Sequence, residues 1–196
     1  IINTFYLSRS TYILSIFAIK LLLLFLFNNM YKSLIKYLTV SYFFLFSMNI
    51  YGNIMLNEND KLSTPLPLPY DGKIYNVKDL NNFIEKTIIQ KKQPILMFGA
   101  NWCPDCRIFA GTMNIPKIKS YIEQEFNVLY IDVKRYEINM NLMEEYGIPA
   151  AEGIPRLLVF DKEKNLLNNS RTTEWRTARD RSSQEIFDFF QEVTVN

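Results

Sequence analysis

Cys103 and Cys106 lie in the sequence NWCPDC and are the only two cysteines of this 196-residue chain. Two thiols separated by two residues can exchange with a disulfide, supply half of a metal site or close a small structural disulfide. The chain contains no histidine, which excludes a Cys/His zinc site, a Cys–His protease dyad and a copper site that uses imidazole. Thiol–disulfide exchange is therefore the favoured interpretation, and we expect neither a metal nor a cofactor.

The other two uses of these thiols have weaker support. Two thiolates alone make a poor tetrahedral site, so the remaining metal alternative is a four-thiolate site shared across a dimer. A structural disulfide between Cys103 and Cys106 would close too small a loop to restrict the unfolded chain appreciably.

The position of the two thiols on a helix gives them different roles. Pro104 favours the first turn of a helix that begins near Cys103, because its missing N–H costs nothing there. Free N–H groups and the positive end of the helix dipole then lower the pKa of Cys103 below its usual value of about 8.5. We therefore expect Cys103 to be the exposed nucleophile and Cys106, one turn later, to be the buried thiol that resolves the mixed disulfide.

Pro104 and Asp105, between the cysteines, are expected to tune this pair. The charge of Asp105 stabilises the start of the helix but opposes a neighbouring thiolate, which makes the dithiol a better reductant. The alternative is that Asp105 is an ordinary acidic residue of a first helical turn, with an exposed side chain.

Apolar periodicity and turn residues predict the elements that position the cysteines. We expect, in order, a helix capped by Asn76 over about 77–90, a strand in ILMFGA, a helix from Cys103 that Pro116 breaks and restarts, a strand in NVLYIDV, a short helix in NLMEEYG ended by Gly147, a hairpin of RLLVFD and NLLNNS, and a final helix capped by Ser182 or Ser183. This order predicts an α/β fold with a mixed central sheet.

The N-terminal 52 residues differ in composition from the rest of the chain. They contain four basic residues and no acidic residue, which leaves 18 basic and 20 acidic residues beyond them, a net charge of −2. That near-neutral balance gives no support to nucleic-acid binding. From Met30, a short basic start, an apolar run and a more polar end are typical of a secretory signal peptide.

These features predict four segments. Residues 1–29 are expected to be an upstream translated extension, because the chain begins with Ile1, and residues 30–52 a signal peptide. Residues 53–73 form an extended proline-rich lead-in, and residues 74–196 form the folded domain. The alternative for the first two segments is a transmembrane hairpin of the apolar runs 11–27 and 37–48. The expected location is therefore periplasmic or secreted, or membrane-anchored if the N-terminal segment is retained.

Three stretches of the chain resemble the thioredoxin superfamily: FGANWCPDC after a buried strand, VLYIDV as the next strand, and YGIPAAEGIPRLLVFD. The resemblance covers about residues 74–193 and implies a thioredoxin fold, three-layer α/β/α with a mixed central sheet. The interrupted helix after Cys106 is similar to exported bacterial thioredoxin-like proteins and to the C-terminal domain of the DsbD reductase. The motif WCPDC is also similar to that of a eukaryotic thioredoxin-related protein.

The resemblance implies further roles around the cysteines. Ile154-Pro155 lies where the family has a cis-proline, whose exposed backbone would pair with an extended substrate; the alternative is an ordinary trans proline. Trp102 would shield the site or contact substrate, or simply pack. Arg156 would offset the charge of Asp105 if its guanidinium faces the cysteines, or else be a solvated strand residue.

The chain also departs from the family pattern. A buried aspartate of thioredoxin is replaced by Met97, which leaves Asp105 as the nearest acid to take up the proton of the resolving thiol. Three residues are added between Tyr146 and Pro155, and residues 170–183 lack the family's glycine. The basic residues of that segment, Arg171, Arg176, Arg179 and Arg181, are interpreted as a solvated loop. Substrate recognition therefore cannot be carried over from the family.

The sequence thus predicts a thiol–disulfide oxidoreductase of the cell envelope that reduces or exchanges protein disulfides. Its expected partners are protein substrates and a membrane electron-transfer protein, and it is expected to be a monomer that does not bind nucleic acid. The alternatives are a redox-inactive binding or folding module of the same shape, and a dedicated reductase of cytochrome c maturation.

Overall fold

The computed structural model describes Lys20, Tyr31, Lys32 and residues 52–195. The chain divides into two units, residues 1–52 and 53–196. Of the first unit, Lys20, Tyr31 and Lys32 are helical and Gly52 is exposed and irregular, and the predicted extension and signal peptide otherwise lie outside the described residues. Among the helices described, none is long and apolar enough to cross a membrane.

A three-stranded mixed sheet forms the centre of the second unit. Strand β1 (Gln93–Gly99) lies between β2 (Phe126–Asp132), to which it is parallel, and β3 (Arg156–Val159), to which it is antiparallel. Every residue of β1 is buried, as its continuous apolar run predicted. The prediction of an α/β fold with a mixed sheet is confirmed.

Four α-helices surround the sheet: α1 (Val77–Ile89), α2 (Pro104–Met113), α3 (Pro116–Glu125) and α4 (Ser183–Val193). Asn76 and Ser182 cap α1 and α4, each in a capping box with an acidic residue at the third helical position. Prolines begin α2 and α3, as the sequence indicated. The starts of these helices are therefore determined by local sequence.

Three further segments form 3₁₀-helices: Met140–Tyr146, Asn169–Arg171 and Glu174–Asp180. The first is the short helix predicted in NLMEEYG, and Gly147 ends it in the left-handed region at φ 71°. The last contains a kink at Thr177 and carries Trp175, which is 2% exposed and belongs to the core.

The predicted hairpin is wrong in its second half, because NLLNNS does not form a strand. Phe160 and Leu166 pair in one isolated β-bridge. Beyond it, the Asn168 side chain makes hydrogen bonds to β3 that a neighbouring strand would otherwise make. The buried amide of Asn168 accepts the N–H of Val159 at 3.0 Å and donates to the carbonyl of Leu157 at 2.9 Å. The backbone of β3 is thus satisfied without a fourth strand.

The proline-rich lead-in, residues 53–73, forms neither a helix nor a strand, makes a turn at Glu58 and Asn59, and packs along α2 and α4. Gln184 and Gln191 on α4 donate to the carbonyl of Ile54. A Cβ on Gly111 of α2 would lie 2.8 Å from the side chain of Leu62, so the lead-in approaches that helix closely. This segment is therefore part of the same folded unit as the cysteines.

Replacement of Asn168 by alanine is expected to destabilise the protein by about 2 kcal/mol, because it leaves two buried backbone groups of β3 without partners. The matched control is Asn169→Ala, since Asn169 is exposed. Urea denaturation of both variants measures the difference. Equal stability of the two variants would contradict the role given to Asn168.

Candidate active site

The two cysteines lie at the start of α2, shortly after the end of β1. Cys103 is the N-cap of α2, and its own N–H donates to the carbonyl of Ala100 at 3.1 Å. Its sulfur accepts the backbone N–H of Cys106 at 3.3 Å, and Pro104 is the first residue of the helix. The Cys103 sulfur therefore caps the helix in the way that an oxygen side chain usually does.

Both cysteines are free thiols, and Cys103 is more deeply buried than the sequence suggested. Cys106 is 0% exposed, as expected of a resolving thiol, but Cys103 is only 4% exposed. The expectation of an exposed nucleophile is wrong in that sense, because the loop before β3 covers this residue: the carbonyl of Ile154 lies 3.7 Å from the Cys103 sulfur. Only 4% of Cys103 is therefore open to solvent and to a substrate disulfide.

The environment moves the pKa values of the two thiols in opposite directions. Hydrogen bonding with the Cys106 thiol, together with the N–H groups of Cys106 and Asp105, lowers the pKa of Cys103 to about 7 against the effects of burial and of the Asp105 charge. Burial, followed by the interaction with Cys103, raises the pKa of Cys106. Near neutral pH, Cys103 is thus the thiol that ionises and Cys106 the one that keeps its proton.

Asp105 has a different environment from the one expected, because its side chain is buried and ion-paired. It is 2% exposed, and both carboxylate oxygens accept hydrogen bonds from Arg179. The Arg179 Nε lies 3.0 Å from Oδ1 and 3.1 Å from Oδ2, and the Arg179 backbone N–H donates to Oδ1 at 2.9 Å. The carboxylate beside the cysteines is therefore held by a counter-charge from the 3₁₀-helix Glu174–Asp180.

Arg156 is not the residue that supplies this counter-charge. It is 6% exposed, and its guanidinium donates to the carbonyls of Pro149, Glu152 and Gly153 at 3.3, 3.5 and 3.2 Å. Both earlier interpretations of Arg156 are thus corrected, because the added residues of this loop offer carbonyls that bind the guanidinium. Burial and the neighbouring Arg176 lower its pKa.

Arg179 is the functional candidate that sequence reasoning missed. It was placed in a solvated loop, and its side chain is indeed half exposed, but its charged end lies on Asp105. The two residues are 74 positions apart, and no spacing rule connects them. The other arginines of the segment behave as expected: Arg171 pairs with Glu174 and Glu192, and Arg181 pairs with Glu185.

Trp102 forms an exposed aromatic surface next to Cys103. The residue is 44% exposed, its indole N–H donates to the Lys134 carbonyl at 2.7 Å, and its ring meets Tyr136 edge to face at 5.9 Å. The guanidinium of Arg135 lies 5.5 Å from the ring centroid. The loop after β2 thus fixes the ring at the surface, while its contact with substrate stays a prediction.

Ile154 also lies next to the Cys103 sulfur, and the bond between Ile154 and Pro155 is cis. The Ile154 carbonyl approaches the sulfur, as described above, and the pairing of this backbone with a substrate stays a prediction. Within residues 52–195 no group of three or more acidic or cysteine side chains could hold a metal ion.

Comparison with known proteins identifies relatives of the second unit. A family model described as thioredoxin matches residues 70–171. The crystal structure of a disulphide isomerase from Xylella fastidiosa Temecula1 is 32% identical, covers 65% of this chain and 98% of its own, and superposes with a TM-score of 0.59. A thioredoxin from Buchnera aphidicola subsp. Schizaphis graminum is 33% identical over 89 residues, which are 45% of this chain and 73% of that protein. The oxidised C-terminal domain of DsbD from Neisseria meningitidis is 22% identical, covers 56% of this chain and 100% of its own, and has a TM-score of 0.36.

Substitution of Arg179 by glutamine is expected to raise the pKa of Cys103 from about 7 toward the ordinary thiol value of about 8.5. The reason is that the Asp105 carboxylate would then face the thiolate without its counter-charge. Asp105→Asn should lower the same pKa, because it removes the repulsive charge. The ultraviolet absorbance of the thiolate, followed as a function of pH, measures both shifts.

The matched control for this pair is Arg181→Gln, since Arg181 belongs to the same segment and pairs with Glu185 instead. It should leave the Cys103 titration unchanged. Shifts of the same sign in the Arg179 and Asp105 variants would rule out the electrostatic account.

Proposed function

The chain belongs to the thioredoxin family, and from that premise we propose that it is a thiol–disulfide oxidoreductase of the cell envelope that reduces or exchanges disulfides in proteins. The observation that carries the proposal is the placement of the two thiols on one helical turn, where the Cys103 sulfur caps α2 and accepts the N–H of Cys106 while Cys106 is 0% exposed. This placement lowers the pKa of Cys103 and raises that of Cys106. It gives the site one thiolate to attack a disulfide and one protonated thiol to complete the exchange.

The reaction proceeds in two displacements. The Cys103 thiolate attacks a sulfur of the substrate disulfide, which forms a mixed disulfide and releases one substrate thiolate. Cys106 then loses its proton and attacks the Cys103 sulfur, which releases the second substrate thiolate and leaves a Cys103–Cys106 disulfide. Two electrons pass from the protein dithiol to the substrate, and each substrate thiolate takes up a proton.

The charges around Cys103 support both net reduction and exchange. Asp105 alone would disfavour the thiolate and make the dithiol strongly reducing, but Arg179 holds that carboxylate in a set of charge-assisted hydrogen bonds. The resulting dithiol is neither strongly reducing nor strongly oxidising. One relative, the Xylella protein, is named a disulphide isomerase, which is consistent with exchange as one of the reactions of this site.

The substrate is proposed to be an extended polypeptide segment. Trp102 offers an exposed aromatic surface next to Cys103, and the backbone at Ile154 approaches the Cys103 sulfur. An extended chain that carries a disulfide could lie between them and pair with that backbone. Proteins rather than small disulfides are therefore the proposed substrates.

The location in the cell envelope rests on the sequence of residues 30–52. A basic start, an apolar run and a polar end are typical of export, and a reductase outside the cytoplasm needs a membrane protein that returns electrons to it. We therefore include an electron-transfer partner of the membrane in the proposal. Retention of the N-terminal segment would make the protein membrane-anchored.

Insulin reduction by the full chain, with dithiothreitol as electron source, tests the proposed activity. Wild-type protein should turn over insulin disulfides, Cys103→Ser should not, and Cys106→Ser should accumulate substrates as mixed disulfides because the resolving thiol is missing. Non-reducing electrophoresis detects these adducts. Wild-type turnover no faster than that of Cys103→Ser would show that the protein is a redox-inactive module instead, and adducts on Cys103→Ser would reverse the roles of the thiols.

The mature protein isolated from its native cells is expected to begin near Asn53, because residues 30–52 have the pattern of a cleaved signal peptide. Mass spectrometry of the intact protein measures the N-terminus. A terminus before residue 40 would indicate a retained membrane anchor.

A further inference from the structure

The second displacement places a charge on a sulfur that the fold has fully buried. Cys106 is 0% exposed, and burial together with the charges of Cys103 and Asp105 raises its pKa. The backbone N–H of Ala100 favours the Cys106 thiolate. Asp105, the acid considered in the sequence analysis, has both oxygens engaged by Arg179. A further donor at Cys106 would speed this step.

Tyr70 lies in the lead-in, and its hydroxyl is such a donor. The residue is 4% exposed, and its buried hydroxyl has no hydrogen-bond partner within the described residues. A buried hydroxyl without a partner is unfavourable, so its persistence calls for a reason.

The position of the Tyr70 ring is fixed on several sides. The Tyr70 backbone is held by Asn101. The Tyr70 N–H donates to the Asn101 side-chain oxygen at 3.2 Å, and the Asn101 amide donates to the Tyr70 carbonyl at 2.7 Å. The ring packs edge to face on Tyr130 at 5.6 Å. A Cβ on Gly99 would lie 2.2 Å from the Tyr70 hydroxyl oxygen, so the phenol occupies the space over the end of β1.

The hydroxyl thus lies at the base of the turn that carries the two cysteines, and it interacts with their charges. Burial is the first cause that raises the pKa of Tyr70, and the charges of Cys106, Tyr130 and Cys103 add to it. The phenol consequently keeps its proton where Cys103 ionises. It can donate a hydrogen bond to a thiolate but cannot act as a base.

We propose that the Tyr70 hydroxyl donates a hydrogen bond to the Cys106 sulfur and stabilises its thiolate during resolution of the mixed disulfide. The inference rests on the proposed function and assigns part of the active site to the lead-in. In the step itself, the Cys106 proton leaves to solvent, the Cys106–Cys103 bond forms and the bond from Cys103 to substrate breaks. Tyr70 keeps its own proton throughout, and its O–H offsets the charge that develops on Cys106.

Tyr70→Phe tests the proposal, because it removes the hydroxyl and keeps the ring that packs on Tyr130. The probe is the aromatic disulfide dithiobis(nitrobenzoate), which releases one coloured thiolate when Cys103 attacks and a second when Cys106 resolves the adduct. In a stopped-flow experiment on the full chain, the second release should slow about tenfold, the worth of one such hydrogen bond. The rate of the first release should stay within about twofold of the wild-type rate. The pH at which the rate of the second release rises should increase, because the Cys106 thiolate loses a hydrogen bond.

Tyr130→Phe is the matched control. Tyr130 is a partly buried tyrosine that packs against the Tyr70 ring, but its hydroxyl donates to the Met113 sulfur at 3.9 Å and not to a cysteine. This variant should release both thiolates at wild-type rates. Thermal unfolding should show that Tyr70→Phe is at least as stable as wild type, since it removes a buried hydroxyl without a regular partner.

Two results would overturn the inference: a second release in Tyr70→Phe as fast as in Tyr130→Phe, or an equal slowing of both releases, which would indicate a general structural effect. Because the probe reports resolution without a protein substrate, these results are separate from a failure of insulin turnover. Absence of insulin turnover would count against the proposed function alone.

Discussion

The hydrogen bonding of the Cys103 sulfur at the first turn of α2 is the interaction on which the rest of the site depends. It requires a helix that begins at the cysteine, and Pro104 starts that helix immediately after it. It also requires a rigid support, which β1 provides from the centre of the sheet, buried along its whole length. A thiol held in this way accepts the N–H of Cys106. Hydrogen bonding with the Cys106 thiol and with this N–H lowers the pKa of Cys103, while burial, followed by the interaction with Cys103, raises the pKa of Cys106 and keeps it protonated.

Charge around the cysteines is controlled by segments that are distant along the chain. A carboxylate one residue before Cys106 would disfavour the thiolate if it stood alone, and it is buried where water cannot screen it. The 3₁₀-helix Glu174–Asp180 supplies Arg179 to that carboxylate, while Trp175 anchors the same segment in the core. The loop before β3 uses Arg156 differently, to bind its own carbonyls. The two arginines therefore have separate roles, one electrostatic and one structural.

The lead-in extends the site beyond the elements that carry the cysteines. It packs on α2 at Gly111 and reaches the turn before Cys103 through the reciprocal bonds of Tyr70 and Asn101. The glycine at the end of β1 leaves room for the phenol ring. A proline-rich segment without regular structure can thus place one side chain accurately, since packing against its neighbours and hydrogen bonds to their side chains fix its path.

The sequence by itself determined the elements and the reactive pair. The capping residues Asn76 and Ser182, the proline at 104 and the apolar run of β1 act on neighbouring residues, so their effects can be read from spacing. Only the tertiary structure decided that Asp105 is buried against Arg179, that the Asn168 amide replaces a fourth strand, and that Tyr70 lies over Gly99. Each of these contacts depends on where a loop runs in space, and the path of a loop is fixed by packing between residues far apart in the chain, which local patterns do not record.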